Sequence, residues 1–176
     1  MNENIIKAAD AAIRNIPDFP KKGVLFKDIT PLLGDAVLLK QVIKAMAEPF
    51  RESGITKVLG SEARGFLLAA PIAIELGAGL VPVRKKGKLP AKTISASYAL
   101  EYGTDTLEMH ADALKPGDKV LIADDVLATG GTAAAMKELV EKTGASVVGV
   151  SMLIELPFLK GKEKISDCKL FSLLKY

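Results

Sequence analysis

A chain of 176 residues, 49% hydrophobic and 26% charged, reads as one well-packed domain rather than a disordered segment. At this length a domain buries roughly two thirds of the surface its unfolded form exposes. A single cysteine, Cys168, excludes an internal disulfide and fits a reducing cytosol, so a cytoplasmic place is expected; a single histidine, His110, cannot build a histidine-based metal site. The net charge of +3 is too mild to indicate a nucleic-acid partner by itself.

The opening stretch MNENIIKAADAAIRNI is amphipathic with scattered charges, which predicts a helix over about 4–16 rather than a secretory leader with its long apolar core. A second helical pattern covers about 35–52. Residues 57–60 read as a strand, 65–76 as a buried helix and 80–84 as a short strand. The stretch GFLLAAPIAIELGAGLVPV, 65–83, is the nearest thing to a membrane span. A span needs about 20 uninterrupted apolar residues, and Pro71, Glu75 and the Gly77/Gly79 pair break the run, so no membrane association is expected.

Basic residues cluster in RKKGK, 84–88. The run is either a solvated turn or a seat for a small polyanion. No zinc finger, aromatic RNA-binding strand or basic helix accompanies it, so nucleic acid is not expected. The following segment, GKLPAKTISASYALEYGTDTLEMH, 87–110, is polar and rich in Ser, Thr and Tyr, with partial two-residue alternation. It fits a plain β-hairpin excursion, yet it is long for a connector in a compact α/β domain, and such segments are often lids.

Residues 119–123 and 146–153 read as strands flanking a helix over about 132–143 that Gly144 closes. Strand, helix, strand at these lengths predicts a parallel sheet with right-handed crossovers. The near-continuous apolar runs VLIA and VVGVSMLI suit a sheet covered on both faces. The expected class is α/β, with a central, mostly parallel, twisted sheet flanked by helices.

The chemistry concentrates in VLIADDVLATGGTAAAMKELV, 120–140. In an open parallel sheet, ligands bind beyond the carboxyl ends of the strands. Asp124 and Asp125 fall at such an end, where two carboxylates can accept hydrogen bonds from ribose hydroxyls or help hold a metal. The loop 126–132 follows, with small residues that let backbone N–H groups converge at the positive end of the next helix. Acids for a sugar beside amides for its phosphate describe a sugar-phosphate site. The bland reading is a strand ending on solvated acids. Neither G-x-x-x-x-G-K-[ST] nor G-x-G-x-x-G occurs, and the β-lactamase-like fragments KTG (142–144) and Ser166/Lys169 stand in the wrong chain order.

VLIADDVLATGGTA resembles the phosphoribosyl pyrophosphate-binding motif of type I phosphoribosyltransferases. The stretches DFPKKGVLFKDITPLL (18–33), GSEARGF (60–66), VRKKGKLP (83–90), SYALEYG (97–103) and the closing FSLLKY are similar to the adenine-specific members of that family, in family order and over nearly the whole chain. The resemblance implies a single type I phosphoribosyltransferase domain over 1–176, with a small N-terminal hood at about 1–34 and a flexible, β-rich lid at about 87–110. It implies that adenine and phosphoribosyl pyrophosphate give AMP and pyrophosphate, in purine salvage, with Mg2+ bound alongside the pyrophosphate and no metal ligand of the protein's own assigned. A homodimer is implied as well. A regulator that keeps the site but binds nucleic acid, and an enzyme for guanine, xanthine or orotate, are the alternatives.

Residue roles follow from the same resemblance. Asp124 and Asp125 would bind the ribose hydroxyls and favour the developing cation. Ala128, Thr129, Gly130, Gly131 and Thr132 would hold the 5′-phosphate. Glu62, Ala63 and Arg64 would form the pyrophosphate loop, joined by Arg84, Lys85 and Lys88, some of which would reach a neighbouring subunit's site. Leu25, Phe26 and Lys27 would form the adenine pocket, with Phe26 stacked on the base and Val126 closing the other side. Glu101, on the lid, would handle a proton at the imidazole edge of adenine, with Tyr98 and Tyr102 helping to exclude water. Lys27 and Ala63 stand where some members have Arg and Ser.

Overall fold

A computed structural model describes residues 3–99 and 104–176, which fall into two compact units, Met1–Ala45 and Met46–Tyr176. The first unit opens with helix α1 (Glu3–Ala11), which ends earlier than the periodicity predicts. Arg14–Pro17 is instead strand β1, paired antiparallel with β2 (Leu25–Asp28) from Arg14–Asp28 to Pro17–Leu25. Pro17 cannot extend a helix, and Ile16 gains a cross-strand neighbour in Phe26. The Asp28 carboxylate accepts the Thr30 amide at 3.0 Å and its hydroxyl at 2.9 Å, leading into α2 (Thr30–Gly34). Asp35 then accepts the Val37 and Leu38 amides, both at 3.0 Å, and so caps α3 (Ala36–Ala47). The predicted helix over 35–52 divides here, because Pro49 follows α3 and the chain tightens into a 3-10 turn over Glu48–Ser53.

The second unit is built on a seven-stranded sheet in the order β5-β6-β4-β3-β7-β8-β9. Strands β3 (Lys57–Ser61), β4 (Gly79–Lys85), β7 (Lys119–Leu127), β8 (Ser146–Glu155) and β9 (Lys169–Lys175) run parallel. On the β4 side, β6 (Thr104–His110) and β5 (Thr93–Ala99) join antiparallel. Within the segment 87–110, the paired strands β5 and β6 thus extend the main sheet. Strand β9 places the closing FSLLKY beside β8, an element the sequence reading leaves unassigned.

Helix α4 (Arg64–Leu76) joins β3 to β4, and α5 (Gly131–Glu141) joins β7 to β8. Helix α4 lies so close to β3 that a β-carbon on Gly60 would come within 2.6 Å of Ala69 Cβ. Leu59, one residue earlier, belongs to the buried cluster of Val83, Ile122, Met136, Leu139 and Val150 that α5 covers. Successive strand residues face opposite sides, so the two helices cover the two faces and leave the carboxyl edge of the sheet open. The sheet is therefore α/β, central and mostly parallel, as expected. Among the described residues no helix is long and apolar enough to cross a membrane.

Candidate active site

Asp124 and Asp125 are consecutive on β7, so their side chains leave opposite sides of the strand. The strand reaches Leu127, farther than the expected 119–123, because β8 continues to pair with it: Asp124 stands opposite Met152 and Val126 opposite Ile154. Both acids are buried. Asp124 Oδ2 accepts the Ser61 hydroxyl at 2.5 Å, and Oδ1 accepts the Asp125 amide at 2.9 Å. Burial, and then the neighbouring Asp125 charge, push the Asp124 carboxyl up to about 7, against the opposing pull of the Ser61 hydroxyl. Asp125 is engaged differently: its Oδ2 forms an ion pair with Arg64 Nε at the start of α4.

Beyond Leu127 the chain turns through Ala128, Thr129 and Gly130 into α5. Gly130 has φ +76°, a left-handed conformation that a residue without a β-carbon adopts freely. The Ala134 amide bonds back to the Gly130 carbonyl at 2.9 Å, whereas first-turn amides have no intrahelical acceptor. With the positive end of the helix behind them, they make a seat for an anion. A cavity of about 120 Å³ lies here, lined by Asp124, Val126, Ala128, Thr129, Gly130, Gly131 and Thr132 together with Tyr98. Tyr98 comes from the β5–β6 hairpin. Its hydroxyl is 3.4 Å from Thr132 Oγ1 and 3.4 Å from Asp105 Oδ2, and its ring lies where a β-carbon on Gly131 would come within 2.6 Å. At the other end of α5, Lys142 Nζ donates to the Ser95 carbonyl at 2.6 Å, so the stem of the hairpin is tied to this helix twice.

The basic run forms a separate cluster around the β3–α4 turn. Glu62 accepts Arg84 Nε at 2.6 Å and the Lys85 amide at 3.2 Å. Burial raises the Glu62 carboxyl, but the Arg84 and Lys85 hydrogen bonds, with the Arg84 and Lys88 charges, outweigh it and hold Glu62 below its ordinary value. The Glu62–Ala63 peptide bond is cis. Lys85 Nζ lies 3.4 Å from Asp105, and Glu108 Oε2, in a buried side chain, accepts the Gly87 amide at 2.9 Å. Lys88 is exposed.

The structure thus brings Asp124, Val126 and the loop 128–132 to one cavity, and gathers Glu62, Arg84, Lys85 and Lys88 in one cationic turn. Leu25, Phe26 and Lys27 lie on β2 of the N-terminal unit, where Lys27 Nζ donates to Asn15 at 2.8 Å. Glu101 and Tyr102 lie outside the described residues. Three contributors carry no assignment in the sequence reading. Ser61 holds Asp124; Gly65 lets α4 approach until a β-carbon would sit 2.5 Å from Asp124 Oδ1; Gly161 lies against the loop at Ala128 and Gly130. Ser61 and Gly65 belong to the GSEARGF stretch and were within reach of the sequence, but nothing local to LKGKEK links Gly161 to a loop thirty residues earlier.

The phosphoribosyl transferase domain family matches residues 33–174. An adenine phosphoribosyltransferase of Thermobifida fusca is 56% identical over 173 residues, covering 98% of each chain. One from Desulfitobacterium hafniense is 56% identical over 167 residues, covering 95% of this chain and 96% of that one. Among solved structures, adenine phosphoribosyltransferase from Rhodothermus marinus superposes with a TM-score of 0.95 at 53% identity, covering 99% of this chain and 100% of that one. The Saccharomyces cerevisiae enzyme, complexed with an imino-altritol bisphosphate and adenine, gives 0.93 at 40% identity, covering 98% and 100%. With acids, anion seat and cationic turn arranged in one sheet edge, and with relatives this similar end to end, the chain belongs to the phosphoribosyltransferases and, within them, to the adenine phosphoribosyltransferase family.

Proposed function

We infer that the protein transfers the phosphoribosyl group of phosphoribosyl pyrophosphate to adenine, giving AMP and pyrophosphate, a purine-salvage reaction. The observation that supports this most is the buried Asp124–Asp125 pair placed directly before the anion seat at Ala128–Thr132, in a chain of this family. In the transfer the C1′–O bond to pyrophosphate breaks and its electron pair leaves on the pyrophosphate oxygen. Positive charge builds on C1′ and the ring oxygen, and N9 of adenine bonds to C1′ from the opposite face as its proton departs.

Each part of the site has work in that reaction. Asp124 and Asp125 take the ribose hydroxyls, and their negative charge favours the cation. Backbone amides of Ala128–Thr132, with the Thr129 and Thr132 hydroxyls, hold the 5′-phosphate and fix C1′ for attack. Arg64, Arg84, Lys85 and Lys88 neutralise the leaving pyrophosphate, with Glu62 orienting Arg84 and Ala63 completing the turn. Leu25 and Lys27 read the edge of adenine through their backbones, Phe26 stacks on it and Val126 closes the opposite side. Glu101 receives the proton, and Tyr98 and Tyr102 keep water from the cation. The hood is about 1–34 and the lid about 87–110.

Magnesium, when bound, offsets part of the diphosphate charge. The donors present fit an ion brought by the substrate: such ions are held through one or two carboxylates beside water and phosphate oxygens, and Asp124 and Asp125 offer two. A homodimer belongs to the same proposal, and exposed apolar side chains support it. Leu67 and Ile74, two helical turns apart on α4, are 52% and 82% exposed, and Leu80 on β4 is 41% exposed. In such a dimer some of Arg84, Lys85 and Lys88 would reach the neighbouring subunit's site, as the family resemblance implies. The reaction is placed in the cytoplasm, which a lone unpaired cysteine suits.

Pyrophosphate release from phosphoribosyl pyrophosphate and Mg2+, measured with adenine, guanine, xanthine and orotate in turn, tests the function. Turnover with adenine alone is expected; equal turnover with any other base overturns the assignment.

A further inference from the structure

We propose that Ser61 is a positioning residue for phosphoribosyl transfer, holding the Asp124 carboxylate in the orientation that receives the ribose; this rests on Asp124 being the ribose-binding acid. The paired ladder between β3 and β7 runs Lys57–Val120, Val58–Leu121 and Leu59–Ile122 and is not continued. Two residues farther along each strand, the connection is made by side chains: the Ser61 hydroxyl donates to Asp124 Oδ2 at 2.5 Å. Both residues are nearly inaccessible, Ser61 at 6% and Asp124 at 5% exposure, so the bond forms without competing water.

The bond fixes more than a distance. Asp124 Oδ1 accepts the Asp125 amide at 2.9 Å, so each carboxylate oxygen has one donor and the plane of the group is set by two anchors. Each oxygen retains a second lone pair for a ribose hydroxyl. Gly65 closes the remaining flank, since even a β-carbon there would stand 2.5 Å from Oδ1. Without Ser61, one anchor is lost and the carboxylate rotates about χ2, a soft torsion. A hydroxyl donor also favours the charged form of the acid, the form that stabilises a ribose cation.

The test compares Ser61→Ala, Ser61→Thr and Asp124→Asn in steady-state kinetics, thermal melting, and titrations with AMP and with magnesium pyrophosphate. Ser61→Ala is expected to lower kcat/KM for phosphoribosyl pyrophosphate about 10- to 100-fold, the scale of one hydrogen bond to a charged group. KM for adenine stays within about 2-fold, AMP binds more weakly, and pyrophosphate, which has no ribose, binds as in the parent. Ser61→Thr keeps the hydroxyl and recovers most of the loss. Parent-like kcat/KM in Ser61→Ala, or equal weakening of AMP and pyrophosphate, overturns the proposal, as does failure of Ser61→Thr to recover activity while melting like the parent. If Ser61→Ala does not fold, Ser61→Cys, with a weaker donor of similar size, must show the same selective loss of AMP affinity. Asp124→Asn separates the two levels: if it keeps parent kcat/KM, the reading of Asp124 fails. If it loses kcat/KM while Ser61→Ala does not, only the role of Ser61 fails.

Discussion

The carbonyl oxygen of Gly161 stands where a β-carbon on Gly130 would have to be, and a β-carbon on Gly161 would in turn strike the Ala128 carbonyl. The turn that follows Lys160 is therefore the backing of the anion seat, two glycines pressed against each other so that the loop can close over α5.

That contact predicts an asymmetric cost. Gly161 does not need a left-handed backbone, so Gly161→Ala is permitted locally and acts by pushing the 128–130 loop. Overpacking of this kind costs about 1–3 kcal/mol. KM for phosphoribosyl pyrophosphate should rise about 10-fold with KM for adenine little changed. Gly130→Ala meets the same crowding and adds the strain of φ +76°, so it should be the worse of the two. Parent-like KM for phosphoribosyl pyrophosphate in Gly161→Ala removes the buttress from the account.

Asp124 gives the apo protein a pH signature. Its carboxyl is raised from 3.8 to about 7 by burial and then by the Asp125 charge. A raised acid binds its proton more tightly in the native state, so its contribution to stability is full below the unfolded value and is lost as pH rises toward 7. Asparagine mimics the protonated side chain at every pH. Relative to Asp124→Asn, the parent should lose melting temperature steadily between about pH 4 and pH 7, where the native and unfolded values of this group differ. A difference in melting temperature that stays flat over that window contradicts the burial of a proton-binding carboxyl at this position.

The Glu62–Arg84 pair predicts the opposite slope. Hydrogen bonds and nearby cations hold Glu62 below its ordinary value, despite the burial that opposes them. Its stabilisation is present above the unfolded value and is lost as pH falls through the native one. Arg84→Ala strips Glu62 of its closest cation, so the variant should melt below the parent at pH 7 and approach it below about pH 4, where carboxylates protonate. Pyrophosphate should inhibit it more weakly, while AMP affinity changes little. A melting deficit that persists unchanged at low pH would assign the effect to packing of the arginine stem.

Much of this site is legible in the sequence because its parts are local. The apolar run of β7, the two acids, the small-residue loop and the helix after it follow one another within about twenty residues, and each reads from its own composition. What escapes is what depends on distant neighbours. Aspartate disfavours strands, so β7 is expected to end at Ala123; pairing with Met152 and Ile154 carries it to Leu127. Strand β2, four residues with a lysine and an aspartate, has no periodic signal and exists through its ladder with β1. Ser61 and Gly161 act across the sheet and across thirty residues of chain, and neither announces its partner.

Glu101 lies outside the described residues, and its role rests on the family resemblance. General acid–base help is typically worth about 10²–10⁴ in rate. Glu101→Gln keeps an oxygen acceptor but cannot take up a proton, so single-turnover AMP formation should slow on that scale with melting temperature unchanged. A parent-like single-turnover rate between pH 6 and pH 9 would leave the transfer to positioning and electrostatics alone.

The base site makes its prediction through Phe26. Within the N-terminal unit, the half-buried Phe26 ring meets the Phe19 ring edge-on, with centroids 5.1 Å apart and planes at 73°. Phe19 is 51% exposed, and such T-shaped pairs are worth about 0.5–1.5 kcal/mol beyond their burial. The pair therefore helps to fix the attitude of Phe26 and adds modestly to stability. Phe26→Ala should weaken adenine binding by roughly 1–3 kcal/mol, the scale of one base–aromatic stack. Phosphoribosyl pyrophosphate, which has no base, should bind almost as before. Phe19→Ala should act in the same direction but more weakly, because it loosens the ring without removing it. Titration of each variant with adenine and with phosphoribosyl pyrophosphate decides the matter: equal loss for both ligands, with a matching fall in melting temperature, makes Phe26 a core residue of β2 and moves the base pocket elsewhere.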